Sequence, residues 1–178
     1  MILIMSSAIH SLFDGGSTAA IAKDEALFDT GGRVRFMHFV VEGQVDLIRH
    51  SESGVRMVLF RAGPGQVPAE ASAYSDTYHC DGIADRPSRL RSIPVRTFRA
   101  RLDGDIALAN AWAERLAHAL QGARMNAEIR TLRTVAERID AWQAGFRPLP
   151  PKGQWQNLAQ VLGVSREALY RELANRRR

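Results

Sequence analysis

Cysteine is nearly absent from this sequence. Cys80 is the only one in 178 residues, which excludes an internal disulfide and any four-cysteine zinc or iron–sulfur site within one chain. Long apolar runs are missing too, and no stretch approaches the roughly 18 residues that a membrane helix needs. The opening Met1-Ile2-Leu3-Ile4-Met5 has no basic lead and is too short for a secretory signal. A cytoplasmic protein without a membrane partner is expected. The five histidines form no HxH or HxxxH pair, so no metal site of the cupin kind is expected. No nucleophile–base pair and no glycine-rich phosphate loop stands out, and Gly31-Gly32 and Gly63-Pro64-Gly65 read as turns. The chain is also too short for a barrel enzyme or a full dinucleotide-binding dehydrogenase. These absences point away from an enzyme. A hydrophobic fraction of 46% and a charged fraction of 24% are those of an ordinary globular protein.

What is present is unevenly placed charge. From Gly145 to Arg178, Arg147, Lys152, Arg166, Arg171, Arg176, Arg177 and Arg178 face only Glu167 and Glu172. The remaining 144 residues hold 17 basic and 17 acidic side chains, so the whole net charge of +5 lies at one end. A basic terminus on a neutral body suits nucleic acid, and less often an anionic membrane.

From Ser17 to about Phe98 short β-branched and aromatic runs alternate with turn residues. Phe36-Met37-His38-Phe39-Val40-Val41 is followed by Glu42-Gly43, then Gln44-Val45-Asp46-Leu47-Ile48. Ser51-Glu52-Ser53-Gly54 marks a turn before Val55-Arg56-Met57-Val58-Leu59-Phe60. Leu90-Arg91-Ser92-Ile93-Pro94-Val95 closes the region, with Pro94 arguing for an edge or a strand end. Many short strands between turns read as a β-barrel or roll.

From Asp105 to about Trp142 there is no proline, and the period changes to that of a helix. Leu108, Trp112, Leu116, Ala119, Leu120 and Ala123 fall on one face; Met125, Ile129, Leu132 and Ala136 fall on roughly the opposite one. Two stripes suit a helix that packs on its own barrel and on a second copy of itself. A break near Gly122 or Thr131, giving two core helices, is the other reading. Pro148-Leu149-Pro150-Pro151 cannot continue a helix and reads as a stiff connection.

The strongest signal comes last. Trp155-Gln156-Asn157-Leu158-Ala159-Gln160-Val161-Leu162 has a short helix pattern, and Gly163 stands where that helix must end and turn. Ser165 is a good N-cap for a second helix, Arg166 to Ala174. Leu158, Leu162, Val164, Leu169 and Leu173 supply a buried side. This is a helix-turn-helix pattern, whose second helix enters a DNA major groove. Ser165, Arg166, Glu167, Tyr170 and Arg171 are the candidate DNA-binding residues. Arginine suits bidentate contact with guanine, glutamate accepts from cytosine, and Ser165 with its neighbouring amides suits a phosphate.

This order of β-roll, long helix and terminal helix-turn-helix resembles the Crp/Fnr family of bacterial transcription regulators. Val164-Ser165-Arg166-Glu167-Ala168-Leu169-Tyr170-Arg171 resembles that family's recognition helix, and Arg166, Glu167 and Arg171 match positions that read bases in its cyclic-AMP-binding members. Val41-Glu42-Gly43-Gln44-Val45 resembles its roll turn, and Gly65 to Glu70 the start of its nucleotide-pocket segment. The run Ala69-Glu70-Ala71-Ser72 to Tyr78-His79-Cys80-Asp81 resembles a branch in which no cyclic nucleotide is established.

The resemblance implies an α+β chain. Residues 1–104 would form a jelly-roll domain of the cyclic-nucleotide-binding kind (a double-stranded β-helix acting as sensor). Residues 105–130 would be a dimerisation helix, and 131–178 a helix-turn-helix domain lacking a full wing. Two departures bear on transfer. In cyclic-AMP-binding members a glutamate holds the ribose, and Glu70 matches it. An arginine followed by a serine holds the phosphate, at a spacing that here falls on Cys80 and Asp81, after His79. A carboxylate there repels a cyclic phosphate, and Arg86, the next basic residue, stands six positions late. Glu70, Ala71, Ser72, His79, Cys80 and Asp81 are therefore the candidate pocket of an effector other than a cyclic nucleotide. Haem or redox sensing through His79 and Cys80 is a lesser reading beside a plain buried thiol, and no metal or cofactor is expected. The second departure is the missing wing: either Arg176, Arg177 and Arg178 replace its phosphate contacts, or the chain is a shortened relative that binds DNA weakly; Glu172 also stands at a position usually apolar, which predicts looser packing.

The expected function is that of a homodimeric, sequence-specific DNA-binding regulator of transcription on a near-palindromic site. Its partners would be double-stranded DNA and its own second copy, with RNA polymerase a further candidate. The alternative is a ligand-binding or protein-interaction module with a degenerate helix-turn-helix, and a cupin-type barrel enzyme is a third reading.

Overall fold

Antiparallel strands account for most of the first hundred residues. The computed structural model describes residues 8–145 and 148–176, so Arg147, Arg177 and Arg178 lie outside the described residues. The strands are β1 Ser17–Ile21, β2 Ala26–Phe28, β3 Phe36–His50, β4 Arg56–Ala62 and β5 Asp81–Pro94. They pair in the order β1-β5-β3-β4, with β2 also on β5. The sequence predicts a break at Glu42-Gly43, but β3 runs straight through it. Its register against β5 slips three times between Val40 and Val45, and such bulges bend a strand without ending it. Gly43 sits at φ 92°, where a Cβ would run into the Ser88 hydroxyl and the Pro87 carbonyl. The buried Ser88 hydroxyl receives the Gln44 N–H at 2.9 Å and so fills a backbone valence freed by the bulge.

Pro94 does end its strand, as predicted. The next residue begins a helix that the strand-like reading to Phe98 missed, α1 Val95–Gly104. Phe98 and Leu102, four apart, bury against Phe13, Met37, Phe39, Ile93 and Trp112. Trp112 meets Phe98 edge to face at 5.0 Å. Trp112 belongs to helix α2, Ile106–Thr131, which Asp105 caps through the Ala107 amide at 2.8 Å. Leu108 and Leu116 pack on the same core, as their predicted stripe requires. Ala119, Leu120 and Ala123, from that stripe, are exposed. The helix is continuous past Gly122 and stops at Thr131.

The chain divides into two compact units between Leu116 and Ala117, inside α2. In the second unit the end of α2 is followed by α3 Val135–Ala144, α4 Trp155–Leu162 and α5 Arg166–Asn175. Thr134 and Glu137 form a reciprocal capping box at the start of α3. Ile129, Ile139, Trp155, Leu158, Ala159, Leu162, Leu169 and Leu173 close one core, each large side chain contributing about 1.5–3 kcal/mol on burial. Trp155 anchors the proline-rich connection by donating Nε1–H to the Pro150 carbonyl at 2.9 Å. Among the described residues no helix is long and apolar enough to cross a membrane.

Candidate nucleic-acid interface and effector pocket

The turn between α4 and α5 is built by glycine and held by two arginines. Gly163 is left-handed at φ 65°, ψ 39°, a conformation that costs other residues roughly 1–2 kcal/mol. The Val164 amide then closes back on the Ala159 carbonyl at 3.0 Å. That leaves the last carbonyls of α4 to be satisfied. Arg130 donates to Val161 at 3.0 Å and Gln160 at 3.1 Å. Arg138 donates to Leu162 and Gly163, both at 2.9 Å, and through Nε to Leu132 at 2.9 Å. Two guanidinium groups thus cover the negative end of α4. Sequence reasoning misses both; they stand beside the core positions Ile129 and Ile139, with no signal that their heads would turn to carbonyls.

Ser165 caps α5 as predicted, accepting the Ala168 amide at 3.1 Å. Leu169 and Leu173 face the core, while Arg166, Glu167 and Arg171 are exposed. Hydrogen bonds from its own amide and the Ser165 hydroxyl hold the Glu167 carboxyl below the usual carboxylate range. Tyr170 is half-buried, edge to face with Trp155 at 4.9 Å, and the Arg166 guanidinium lies 5.2 Å from its ring centre. Its ring therefore serves packing and positions Arg166, and Arg166, Glu167 and Arg171 make up the outward surface.

Arg176, one of the three arginines expected at phosphates, is engaged within the fold. It donates to Asp140 at 2.6 Å, Glu172 at 3.0 Å and the Ala136 carbonyl at 2.9 Å. Its guanidinium fastens α5 to α3 and is already spent. The same ion pair explains Glu172 at a usually apolar position: the carboxylate is half-buried because Arg176 pairs with it.

In the first unit the six pocket candidates are engaged with different neighbours. Glu70, Ala71 and Ser72 lie on a short 3-10 helix, Glu70–Tyr74, with Ser72 buried and Ala71 exposed. Glu70 faces Arg115, whose charge it favours against the effect of burial. His79 is exposed, with Nε2 3.2 Å from the Ser75 hydroxyl. Asp81 receives the Thr30 amide at 2.8 Å and hydroxyl at 2.7 Å. Those bonds, with His50 nearby, hold its carboxyl below the usual range. Cys80 is buried with Phe28, Val34, Leu47, Ala69 and Tyr78, and burial pushes its thiol up. Arg86 points elsewhere, to Gln44 and Asp85. Among the described residues no three His, Cys, Asp or Glu side chains gather where they could hold a metal ion.

Comparison with known proteins agrees with this architecture. Residues 19–105 match the family described as Cyclic nucleotide-binding domain. No curated protein matches the chain. Among solved structures, FixK2 from Bradyrhizobium japonicum is 18% identical with a TM-score of 0.70, over 90% of this chain and 83% of its own. The c-di-GMP-responsive global regulator CLP of Xanthomonas campestris is 20% identical with a TM-score of 0.68, over 97% and 91%. The sensor domain of the transcriptional regulator DNR from Pseudomonas aeruginosa is 19% identical with a TM-score of 0.55, over 72% and 84%. At such identities the likeness is one of fold. Residues 19–105 thus resemble a cyclic nucleotide-binding domain, and the fold is similar to those of FixK2 and CLP over most of the chain.

Proposed function

We propose that this protein is a homodimeric, sequence-specific DNA-binding regulator of transcription, a binding protein with no catalytic step. The observation that carries this reading is the outer face of α5, where Arg166, Glu167 and Arg171 are exposed on a helix whose inner side is fixed by Leu169 and Leu173. An exposed helix carrying arginines, set on a tight turn, suits a major groove. Ser165 and the first amides of α5 suit a phosphate beside it. Helix α2 supports the dimer. Leu120, Ala123 and Ala127, spaced three and four apart in the second unit, are all exposed; Leu120 is 52% exposed. Such an exposed apolar stripe, a leucine followed by two alanines, suits the approach of a second α2. Two recognition helices would then lie about 34 Å apart on a near-palindromic site.

The proposed effector is not a cyclic nucleotide. Cys80, at the spacing of the phosphate-holding arginine, is buried among apolar side chains, and Asp81 beside it carries a carboxyl held below the usual range, which would repel a cyclic phosphate. Selection from a randomised duplex library, with affinity then followed across salt, tests the function. The expected result is a palindromic consensus, a steep salt slope, and a loss of about 1–3 kcal/mol of discrimination at one base pair in Arg171→Ala. A salt slope without a consensus would mean a basic surface that reads no sequence. No binding at all would leave a module that acts through its β-roll.

A further inference from the structure

We propose that a cleft at the start of α1 binds the phosphate group of a small phosphorylated molecule. It lies wholly in the first unit, has a volume of about 470 Å³, and is lined by Arg33, Arg35, Arg96, Arg99, Ser75 and Asp76 over an apolar floor that includes Val34, Pro94 and Val95. That volume is within the range of small-molecule sites. It shares no residue with the six positions discussed above and is independent of the DNA-binding reading.

Three observations point to an anion. First, four arginines line the cleft beside one acidic residue, Asp76, and none of the four forms an ion pair among the described residues. Such a surplus of positive charge around one cleft favours an anion there. Second, two of them stand in the first turns of α1. Its N-cap is Pro94, with no side-chain cap and no acidic residue in the first turn. Arginines at the positive end of a helix are unfavourable by themselves, whereas amides and arginines together make a phosphate site. Third, the walls are fixed. The Val34 amide donates to the Asp76 carbonyl at 2.8 Å, the Val95 amide to the Arg35 carbonyl at 2.9 Å, and the Arg33 backbone bridges to Thr77. Arg99 is steadied by its Nε bond to the Ala73 carbonyl.

Asp76 and Ser75 refine the class of ligand. A bare polyanion gains nothing from a carboxylate, but a molecule whose phosphate is attached to a hydroxyl-bearing body can place the phosphate among the arginines and donate hydroxyls to Asp76. A phosphorylated polyol fits that division.

Calorimetric titration of the full chain with inorganic phosphate, pyrophosphate and glycerol phosphate at low salt tests the proposal. Saturable binding is expected, tighter for glycerol phosphate than for inorganic phosphate. Affinity should fall by about tenfold per arginine removed in Arg33→Gln and Arg96→Gln, two exposed positions whose variants should keep the wild-type melting temperature. Asp76→Asn should tighten pyrophosphate and weaken the preference for glycerol phosphate. Arg166→Ala/Arg171→Ala should leave all three titrations unchanged. Absence of binding, binding that survives loss of Arg33 and Arg96, or binding lost in the α5 variant would each overturn the proposal. So would a glutamate-rich peptide that displaces pyrophosphate and binds more tightly, which would make the cleft a contact for an acidic protein segment.

Discussion

Replacing Arg138 with methionine keeps the aliphatic stem and removes the guanidinium that joins the ends of α2 and α4. Three hydrogen bonds of 2.9 Å are lost, to Leu132, Leu162 and Gly163. A charged donor contributes up to roughly 1.5–3 kcal/mol per bond, but the site is only partly buried and water can reach the freed carbonyls. Halving the sum gives a loss of about 2–4.5 kcal/mol. A unit of this size is stable by only about 3–9 kcal/mol, so the change is large for it. Hydrogen exchange read by mass spectrometry resolves the effect locally. Protection in α4 and α5 should fall by about 30- to 2,000-fold while β3 and β5 keep theirs. Arg138→Lys should be intermediate, since one ammonium cannot serve three carbonyls in that geometry. A drop of less than about threefold in α4 and α5 would refute the reasoning, because it would mean that the carbonyls are as well served by water. An equal loss in β3 would refute it too, showing that the effect is not local to the turn.

Two further outcomes follow from the same physical arguments. His38 is buried, bonds Ser92 at 2.8 Å, and is pushed down to about 4 from 6.5 by desolvation. Because the unfolded chain takes up that proton first, the contribution is fully present above pH 6.5 and is lost as pH falls towards 4; it amounts to about 3 kcal/mol. Urea titrations across that range should show this component in the wild type and not in His38→Gln, and identical pH curves would sink the idea. Gly163→Ala should cost about 1–2 kcal/mol of left-handed strain, and more if the Arg130 stem, 3.2 Å from the added Cβ, cannot move aside. Gly163→Asn should recover part of the loss in a thermal melt, since asparagine tolerates that backbone better.

Some elements are legible in local chemistry alone. Gly163, Ser165 and the Leu169/Leu173 spacing specify a turn, a cap and a buried face within a dozen residues, and each is found as read. Pro94 ends its strand because proline has no N–H for the ladder. The bent β3 is not readable, because a bulge depends on what the partner strand offers, here Ser88, 45 residues beyond Gly43. Tyr170 has the spacing of a base reader, but Trp155 packs against its ring and draws it into the core.

The sequence by itself determined where the α4–α5 turn falls and that the excess positive charge lies at one end, since both follow from neighbours along the chain. Tertiary structure alone decided how the arginines are used. Arg130, Arg138 and Arg176 fasten helices together, Arg166 and Arg171 are exposed, and Arg33, Arg35, Arg96 and Arg99 line one cleft. A guanidinium group sits at the end of a long flexible stem, so its role is set by whichever carbonyl, carboxylate or open space folding brings within reach.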